Sequence, residues 1–119
     1  MTTQSFKDLL VWRKSSDMAV VIYKQFGSVR DYGFRDQIQR ASVSIMNNVA
    51  EGHGRRSDRS FRSFLVTAKG SVSEIESMLV LAERLGYITN ESFERLNKMS
   101  TEVGKMLTGF IAKLPAKDY

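Results

Sequence analysis

Residues 61–82, FRSFLVTAKGSVSEIESMLVLA, carry an apolar side chain at every fourth or third position. The positions in this pattern are Phe61, Leu65, Ala68, Val72, Ile75, Leu79 and Ala82. Steps that alternate between four and three residues form a heptad stripe along one side of an α-helix, as in helices that pack at about +20° in left-handed bundles. The stretch therefore predicts a long helix with one buried face.

Three further stretches of the chain show apolar side chains at helical spacing. The residues that share a face are Leu9, Trp12, Ala19, Tyr23 and Phe26 in the first stretch, Phe34, Ile38, Ala41, Ile45 and Val49 in the second, and Phe93, Leu96, Ser100, Val103, Leu107, Phe110 and Leu114 in the last. No stretch alternates with a period of two, so the sequence predicts helices and no strands.

Glycine and proline mark where these helices end. Gly27, Gly52 with Gly54, and Gly86 each follow a periodic stretch, where a left-handed cap favours glycine, and Pro115 follows the last one. Short connections between helices of comparable length make neighbouring helices antiparallel. The sequence therefore predicts an all-α, antiparallel up-down-up-down four-helix bundle. Its helices span about residues 6–26, 34–51, 58–85 and 90–114 of a single domain, 1–119.

A second set of apolar residues lies beside these stripes. Its members are Val11, Met18 and Ile22 in the first predicted helix, and Met78 and Leu81 in the third. They belong either to a wide core stripe or to an interface between subunits, since a bundle this small seldom needs so broad an apolar belt. The second alternative predicts a homo-oligomer.

The composition excludes several classes of protein. The chain has no cysteine, which rules out disulfides, thiolate metal sites and cysteine nucleophiles. No apolar run reaches the ~18 residues of a membrane span. Residues 1–6 lack the basic-then-apolar layout of a secretory signal. We therefore expect a cytoplasmic protein outside the membrane.

Motifs for catalysis and metal binding are missing from the sequence. The single histidine, His53, follows Glu51 at the wrong spacing for the Glu-x-x-His pairs of di-metal bundles. No glycine-rich phosphate loop, dinucleotide fingerprint or nucleophile elbow is present. We therefore expect no catalytic residues, no metal, no cofactor and no enzymatic activity.

Positive charge is concentrated in one part of the chain. The formal net charge is +5, and seven of the ten arginines, but none of the eight lysines, lie between Arg30 and Arg62. The predicted topology puts the connection at residues 53–59 at the same end as the start of the first helix and the finish of the last. The basic residues gathered there are Lys7, Arg13, Lys14, Arg55, Arg56, Arg59, Arg62, Lys113 and Lys117, and the acidic ones are Asp8, Glu51, Asp58 and Asp118. This end thus carries the whole excess of positive charge.

The basic end has two interpretations. In the first, the basic end is a solvated turn that keeps the protein soluble, a role that any charged residue can fill. Arginine instead binds phosphates bidentately and stacks on bases, which favours RNA as a partner. The residues predicted to bind nucleic acid are Lys7, Arg13, Arg55, Arg56, Arg59 and Arg62.

Several polar side chains fall beside the predicted core stripes. They are Asn48 and Glu51 in the second helix, and Ser71 and Glu74 in the third. Carboxylates and amides in such places form buried hydrogen bonds between helices more often than catalytic sites, so we expect a structural network. Gly70, in mid-helix, costs about 1 kcal/mol relative to alanine and predicts a close approach of two helices.

Three separated blocks of the sequence form one further pattern: FKDLLVW (6–12), QRASVSIMNNVAEG (39–52), and FLVTAKGS (64–71) with Glu74, followed by LGYI (85–88). Together they resemble the four-helix-bundle family named for 23S rRNA intervening sequences. Members commonly carry proline after the Ser-Ile pair, where this chain has Met46. We therefore expect the second helix to be less kinked at Met46 than in those members.

This resemblance implies an antiparallel four-helix bundle that assembles into a ring-shaped homopentamer. It also implies a gene of the kind often lodged in intervening sequences of 23S rRNA genes, and a related branch acts with a reverse transcriptase and RNA in diversity-generating retroelements. The positions that match the family motifs, Arg40, Asn48, Glu51, Ser71 and Glu74, are expected to be structural. Two functions stay open: an accessory protein associated with RNA or other nucleic acid, and a protein-interaction scaffold ring without nucleic-acid contact.

Overall fold

The computed structural model describes residues 5–115, and in this part of the chain helices joined by short connections are the regular secondary structure. A short 3₁₀ helix, Phe6–Asp8, precedes four α-helices: α1 (Leu10–Phe26), α2 (Tyr32–His53), α3 (Asp58–Arg84) and α4 (Asn90–Lys113). The bundle measures 50 × 24 × 23 Å. The all-helical, four-helix fold predicted from the sequence is confirmed.

Contacts between neighbouring helices run in opposite order along the two partners. They join Gln37 to Glu74 and Ser44 to Ser71 across α2 and α3, and Gln25 to Ser92 and Lys14 to Glu102 across α1 and α4. A higher residue number on one helix pairs with a lower number on the other, as in antiparallel neighbours. Each helix packs against the next in the chain, and α4 packs against α1, which closes the bundle.

The buried faces of α2, α3 and α4 follow the predicted stripes. On α3, every member of the heptad stripe from Leu65 to Ala82 is buried, while Phe61 at its start is partly buried. On α2 and α4, the interior of each predicted stripe is also buried, and the aromatic residues Phe34, Phe93 and Phe110 at the stripe ends are partly buried. One continuous core results.

The predicted face of α1 is correct only in part. Ala19 and Phe26, which the sequence pattern placed inside, are buried, but Tyr23 is 46% exposed. Val11, Met18 and Ile22 complete the buried face. Successive helical residues are turned by about 100°, and α1 packs against both α2 and α4, so the buried arc is centred one residue away from the predicted one. The wide core stripe thus accounts for these three residues and for Met78, but Leu81 remains exposed.

The helix ends differ from the predicted ones in how glycine is used. Within the described part of the chain, only Gly86 has a positive φ (75°). The N–H groups of Gly86 and Tyr87 donate to the carbonyls of Glu83 and Ala82, which closes α3 in a Schellman motif. Gly27 and Gly54 end their helices in the right-handed conformation. The predicted left-handed caps at those two positions are wrong.

The connections are held by short side chains that cap the following helix. Ser57 Oγ accepts the N–H of Ser60 at the start of α3, and Thr89 Oγ1 accepts the N–H of Ser92 at the start of α4. α2 runs without interruption through Met46, because methionine keeps the backbone N–H that proline lacks.

Among residues 5–115, no helix is both long and apolar enough to cross a membrane.

Candidate nucleic-acid interface

The connection between α2 and α3 lies at the same end of the bundle as the start of α1 and the finish of α4. The 3₁₀ helix that precedes α1 packs against α2. The ring of Phe61, at the start of α3, meets the ring of Phe110, near the end of α4, with centroids 5.1 Å apart. We call this surface the basic end and define it by the basic residues Lys7, Arg13, Lys14, Arg55, Arg56, Arg59, Arg62 and Lys113.

Most of the side chains predicted to bind nucleic acid are exposed at the basic end. Lys7, Arg13, Arg55, Arg56 and Arg59 are exposed. Arg62, one turn into α3, is partly buried. The sequence prediction also placed residues 117 and 118 here, and these two lie outside the described residues.

Arg55 is the basic residue of this surface whose contacts are best defined. Its Nη2 donates to Glu51 Oε1 at 2.9 Å, and its guanidinium carbon lies 4.8 Å from the centroid of the Phe64 ring, over the ring face. Glu51 is exposed, and its partner lies four residues further along the chain. The prediction that Glu51 joins a buried network between helices is therefore wrong, because its side chain lies on the solvent-exposed side of the last turn of α2.

Aromatic rings lie beneath the basic end. The His53 ring meets the Phe61 ring edge to face at 6.1 Å, and Phe61 in turn contacts Phe110. Phe64 lies one turn beyond Phe61 on α3. Sequence reasoning did not include Phe64 in the site, although a pair of phenylalanines three positions apart, directly after three arginines, is a signal that could have identified it.

Gly52 explains why these rings lie so close to α2. It is buried inside the last turn of α2 rather than beyond its end, so its predicted role as a helix stop is wrong. A Cβ atom at this position would lie 2.8 Å from Phe61 Cδ1 and 2.8 Å from Phe64 Cβ. Only glycine lets the end of α2 approach the start of α3 this closely.

The predicted close approach of helices at Gly70 is not formed within the chain. A Cβ atom at Gly70 would meet no atom within 4 Å, and the residue is exposed in mid-α3. The close approach of two helices that the sequence pattern assigned to Gly70 is therefore formed at Gly52 instead.

The predicted polar network is not one buried cluster. Asn48 Nδ2 donates to the carbonyl oxygen of Ser44 at 2.8 Å, within α2, so it does not link helices as predicted. Ser71 Oγ donates to Ser44 Oγ at 3.0 Å and does bridge α2 and α3. Glu74 also bridges them, accepting from Gln37 Nε2 at 3.1 Å, but at an exposed site.

These bridging side chains line an open groove between α2 and α3. The groove has a volume of about 630 Å³ and is lined by Gly33, Asp36, Gln37, Arg40, Ala41, Ser44, Ser71 and Glu74. Arg40 is exposed on its wall rather than buried between helices. Within residues 5–115, no group of three or more histidine and acidic side chains is arranged to hold a metal ion.

The opposite end of the bundle is tied by a hydrogen bond between two connections. Tyr87 Oη donates to Asp31 Oδ2 at 2.7 Å, and Asp31 Oδ1 accepts the N–H of Phe34 at the start of α2. Because both bonds favour the carboxylate form, the Tyr87 hydroxyl first and the Phe34 amide second, the pKa of Asp31 is lowered. The same carboxylate raises the pKa of Tyr87. These hydrogen bonds therefore hold the connection before α2 and the connection before α4 together.

Known proteins identify the fold and the family of the chain. None of the curated proteins matches it. A solved structure of a protein of unknown function, from the S23 ribosomal protein family of Bacteroides thetaiotaomicron, is 34% identical with a TM-score of 0.81, and the match covers 86% of this chain and 98% of that one. The model of the 23S rRNA-intervening sequence protein family matches residues 7–109. Because this match spans most of the sequence, the chain belongs to the 23S rRNA-intervening sequence protein family.

Proposed function

We propose that this chain is a non-enzymatic, cytoplasmic protein that associates with RNA through its basic end. The observation that carries the proposal is the cluster of exposed arginines on the connection between α2 and α3, at Arg55 and Arg56, and in the first turn of α3, at Arg59. Lys7 and Arg13 extend the same surface across the start of α1. Membership in a family named for intervening sequences of 23S rRNA also supports an RNA partner.

The physical basis of the proposal is the fit between guanidinium groups and phosphates. Arginine presents a planar fork of N–H donors that matches two phosphate oxygens, and it is less strongly hydrated than lysine. Each phosphate neutralised releases counterions, so the binding constant falls steeply as salt rises. Because the basic end is a single surface of the bundle, its arginine side chains can contact neighbouring phosphates of one RNA.

The test replaces four arginines of the basic end, Arg55, Arg56, Arg59 and Arg62, by alanine. We expect the affinity for a structured RNA to fall at least about tenfold, and the slope of log K against log salt to shrink by about one unit for each phosphate that the variant no longer neutralises. Fluorescence anisotropy across a salt series measures both quantities.

A matched control removes the same charge from the opposite end of the bundle. Its substitutions replace the exposed residues Lys24, Arg30, Arg84 and Arg95 by alanine. We expect this variant to keep most of the salt slope, because its net charge changes equally but the basic end is intact. Equal RNA affinity for wild type and the basic-end variant would contradict the proposal. It would favour an acidic protein as the partner of the basic end.

We further propose that the chain functions as a homo-oligomer, a pentamer by its family resemblance. Large apolar side chains about half exposed support this: Leu10, Val20, Tyr23, Tyr32, Val66, Val80, Leu81 and Leu85. Val20 and Tyr23 also line a groove of about 370 Å³ between α1 and α2, together with Ala19 and Met46. Several exposed apolar side chains beside a groove mark an interaction surface better than single ones do.

Light scattering coupled to size-exclusion chromatography tests the assembly. At micromolar concentration we expect the mass of five copies of a 13.5 kDa chain. Val20→Asp, which puts a charge into the apolar groove, is expected to reduce that mass, whereas the exposed Thr101→Asp on α4 is expected to leave it unchanged. A monomer for the wild-type chain would overturn this part of the proposal.

A further inference from the structure

We propose that Arg55 is a preformed stacking platform for one unpaired base of a single-stranded RNA. The inference rests on the proposed function, because it names the class of RNA that the basic end accepts. It assigns to Arg55 a role different from that of its neighbours, namely contact with a base rather than with a phosphate.

The geometry holds the guanidinium group on two sides. Glu51 binds one edge through the 2.9 Å ion pair, and Phe64 supports one face with its ring centroid 4.8 Å from the guanidinium carbon. The Arg55 side chain is nevertheless 47% exposed. Its remaining surface is therefore available to a planar ligand.

Charge explains why this arginine suits a base better than a phosphate. The Glu51 carboxylate already satisfies part of the guanidinium and cancels its charge locally, so a phosphate would compete with an existing anion. A base carries no net charge and gains from lying over the planar cation. Since the two contacts order the side chain before binding, little rotamer entropy remains to be lost.

The surroundings allow a nucleotide to approach this platform. Gly54, the preceding residue, is exposed and has no side chain to cover the guanidinium group. Arg56, the following residue, is exposed and can contact the phosphate next to a stacked base. A base contact and a phosphate contact on adjacent residues are the combination that single-stranded RNA sites use.

The state of the RNA follows from the same geometry. In a duplex, each base is stacked on its neighbours and its flat face is covered, so only phosphates and groove edges are accessible. A platform for a flat face therefore selects unpaired nucleotides in single strands or loops. Because every base has a flat face, we expect little sequence preference.

The test replaces Arg55 by lysine, which keeps the positive charge and the pairing with Glu51 but removes the planar group. The probe is an oligoadenylate of about twelve nucleotides, within the usual site size, that carries one fluorescent 2-aminopurine. The same strand annealed to its complement serves as the duplex. For Arg55→Lys we expect about tenfold weaker binding of the single strand, loss of the 2-aminopurine fluorescence change that accompanies binding, an unchanged salt slope and unchanged duplex binding.

Two further variants keep the result interpretable. Arg56→Lys makes the same chemical change next door and is expected to weaken single-strand and duplex binding alike, since both forms carry phosphates and lysine keeps the charge but not the bidentate fork. Phe64→Leu removes the ring under the guanidinium group and is expected to reproduce the loss of the fluorescence change, in protein whose helicity by circular dichroism matches wild type.

The outcomes separate this inference from the function beneath it. Wild-type affinity and a wild-type fluorescence change for Arg55→Lys, or an equal loss on single strand and duplex, would overturn the stacking platform while leaving RNA binding in place. Failure of the wild-type chain to bind either form would overturn the proposed function, and the platform with it.

Discussion

Replacing Ile22 by alanine is expected to lower the free energy of unfolding by about 2–5 kcal/mol, the usual loss for a large aliphatic side chain in a core. Ile22 is completely buried one turn before the end of α1, where it packs in the common core of the bundle. Removing most of its side chain forfeits the transfer free energy of the deleted groups and leaves a cavity between packed helices. Urea denaturation followed by circular dichroism measures the change.

The matched control is the next residue in the chain. Tyr23 is 46% exposed, so Tyr23→Ala is expected to cost less than about 1 kcal/mol, as for surface positions generally. Both variants are to be compared in the Val20→Asp background, which is expected to weaken the proposed oligomer and leave Tyr23 uncovered. Equal losses for the two variants would mean that α1 presents to the core the face that the sequence pattern indicated.

Replacing Gly52 by alanine is expected to destabilise the bundle by up to about 2 kcal/mol. The new methyl group would lie 2.8 Å from the Cβ atom of Phe64 and from a ring atom of Phe61, so the end of α2 and the start of α3 must move apart. Overpacking of this kind costs about 1–3 kcal/mol. The better helix propensity of alanine, worth about 1 kcal/mol, offsets part of that cost.

The same substitution at Gly70 is expected to have the opposite sign. Gly70 is exposed in the middle of α3, and a methyl group there meets no atom within 4 Å. Alanine should therefore raise the free energy of unfolding by up to about 1 kcal/mol, through helix propensity alone. Thermal denaturation of Gly52→Ala and Gly70→Ala, each compared with wild type, checks the two predicted changes in stability. A stabilised Gly52→Ala protein would refute the close packing of α2 on α3.

The buried face of a helix was predictable where the helix has one dominant stripe. On α3, the alternation of four and three steps singles out the stripe that includes Leu65, Val72 and Leu79, and all three are buried. On α1, apolar residues occur around more than half of the helix circumference, so periodicity alone allows several buried arcs. The positions of α2 and α4 select the arc that contains Met18 and Ile22.

The ends of the helices show a similar division. At Gly86, a glycine after a long helix predicts a left-handed cap, and the chain has one there. At Gly52, the same residue type serves close packing inside the helix, which a local pattern cannot distinguish from a stop. The distinction depends on Phe61 and Phe64, which lie on another helix.

The candidate site was predictable in composition but not in its internal contacts. The arginine-rich connection and the antiparallel order of the helices are enough to gather the basic residues at one end. Glu51 and Arg55, however, were predicted to serve separate roles, and the structure joins them in one ion pair over the Phe64 ring. Residues that belong to different sequence patterns thus form a single arrangement.

The sequence by itself determined the helical fold class, the number of helices, the buried stripes of α2, α3 and α4, and the end of the bundle that carries the positive charge. These properties follow from local periodicity and from short connections, which are both readable along one chain. Tertiary structure alone decided the rotation of α1 about its axis, the role of Gly52 and the position of the Arg55 guanidinium group. Each of these depends on which side chains of other helices lie within a few ångströms, and that information arises only when the helices pack.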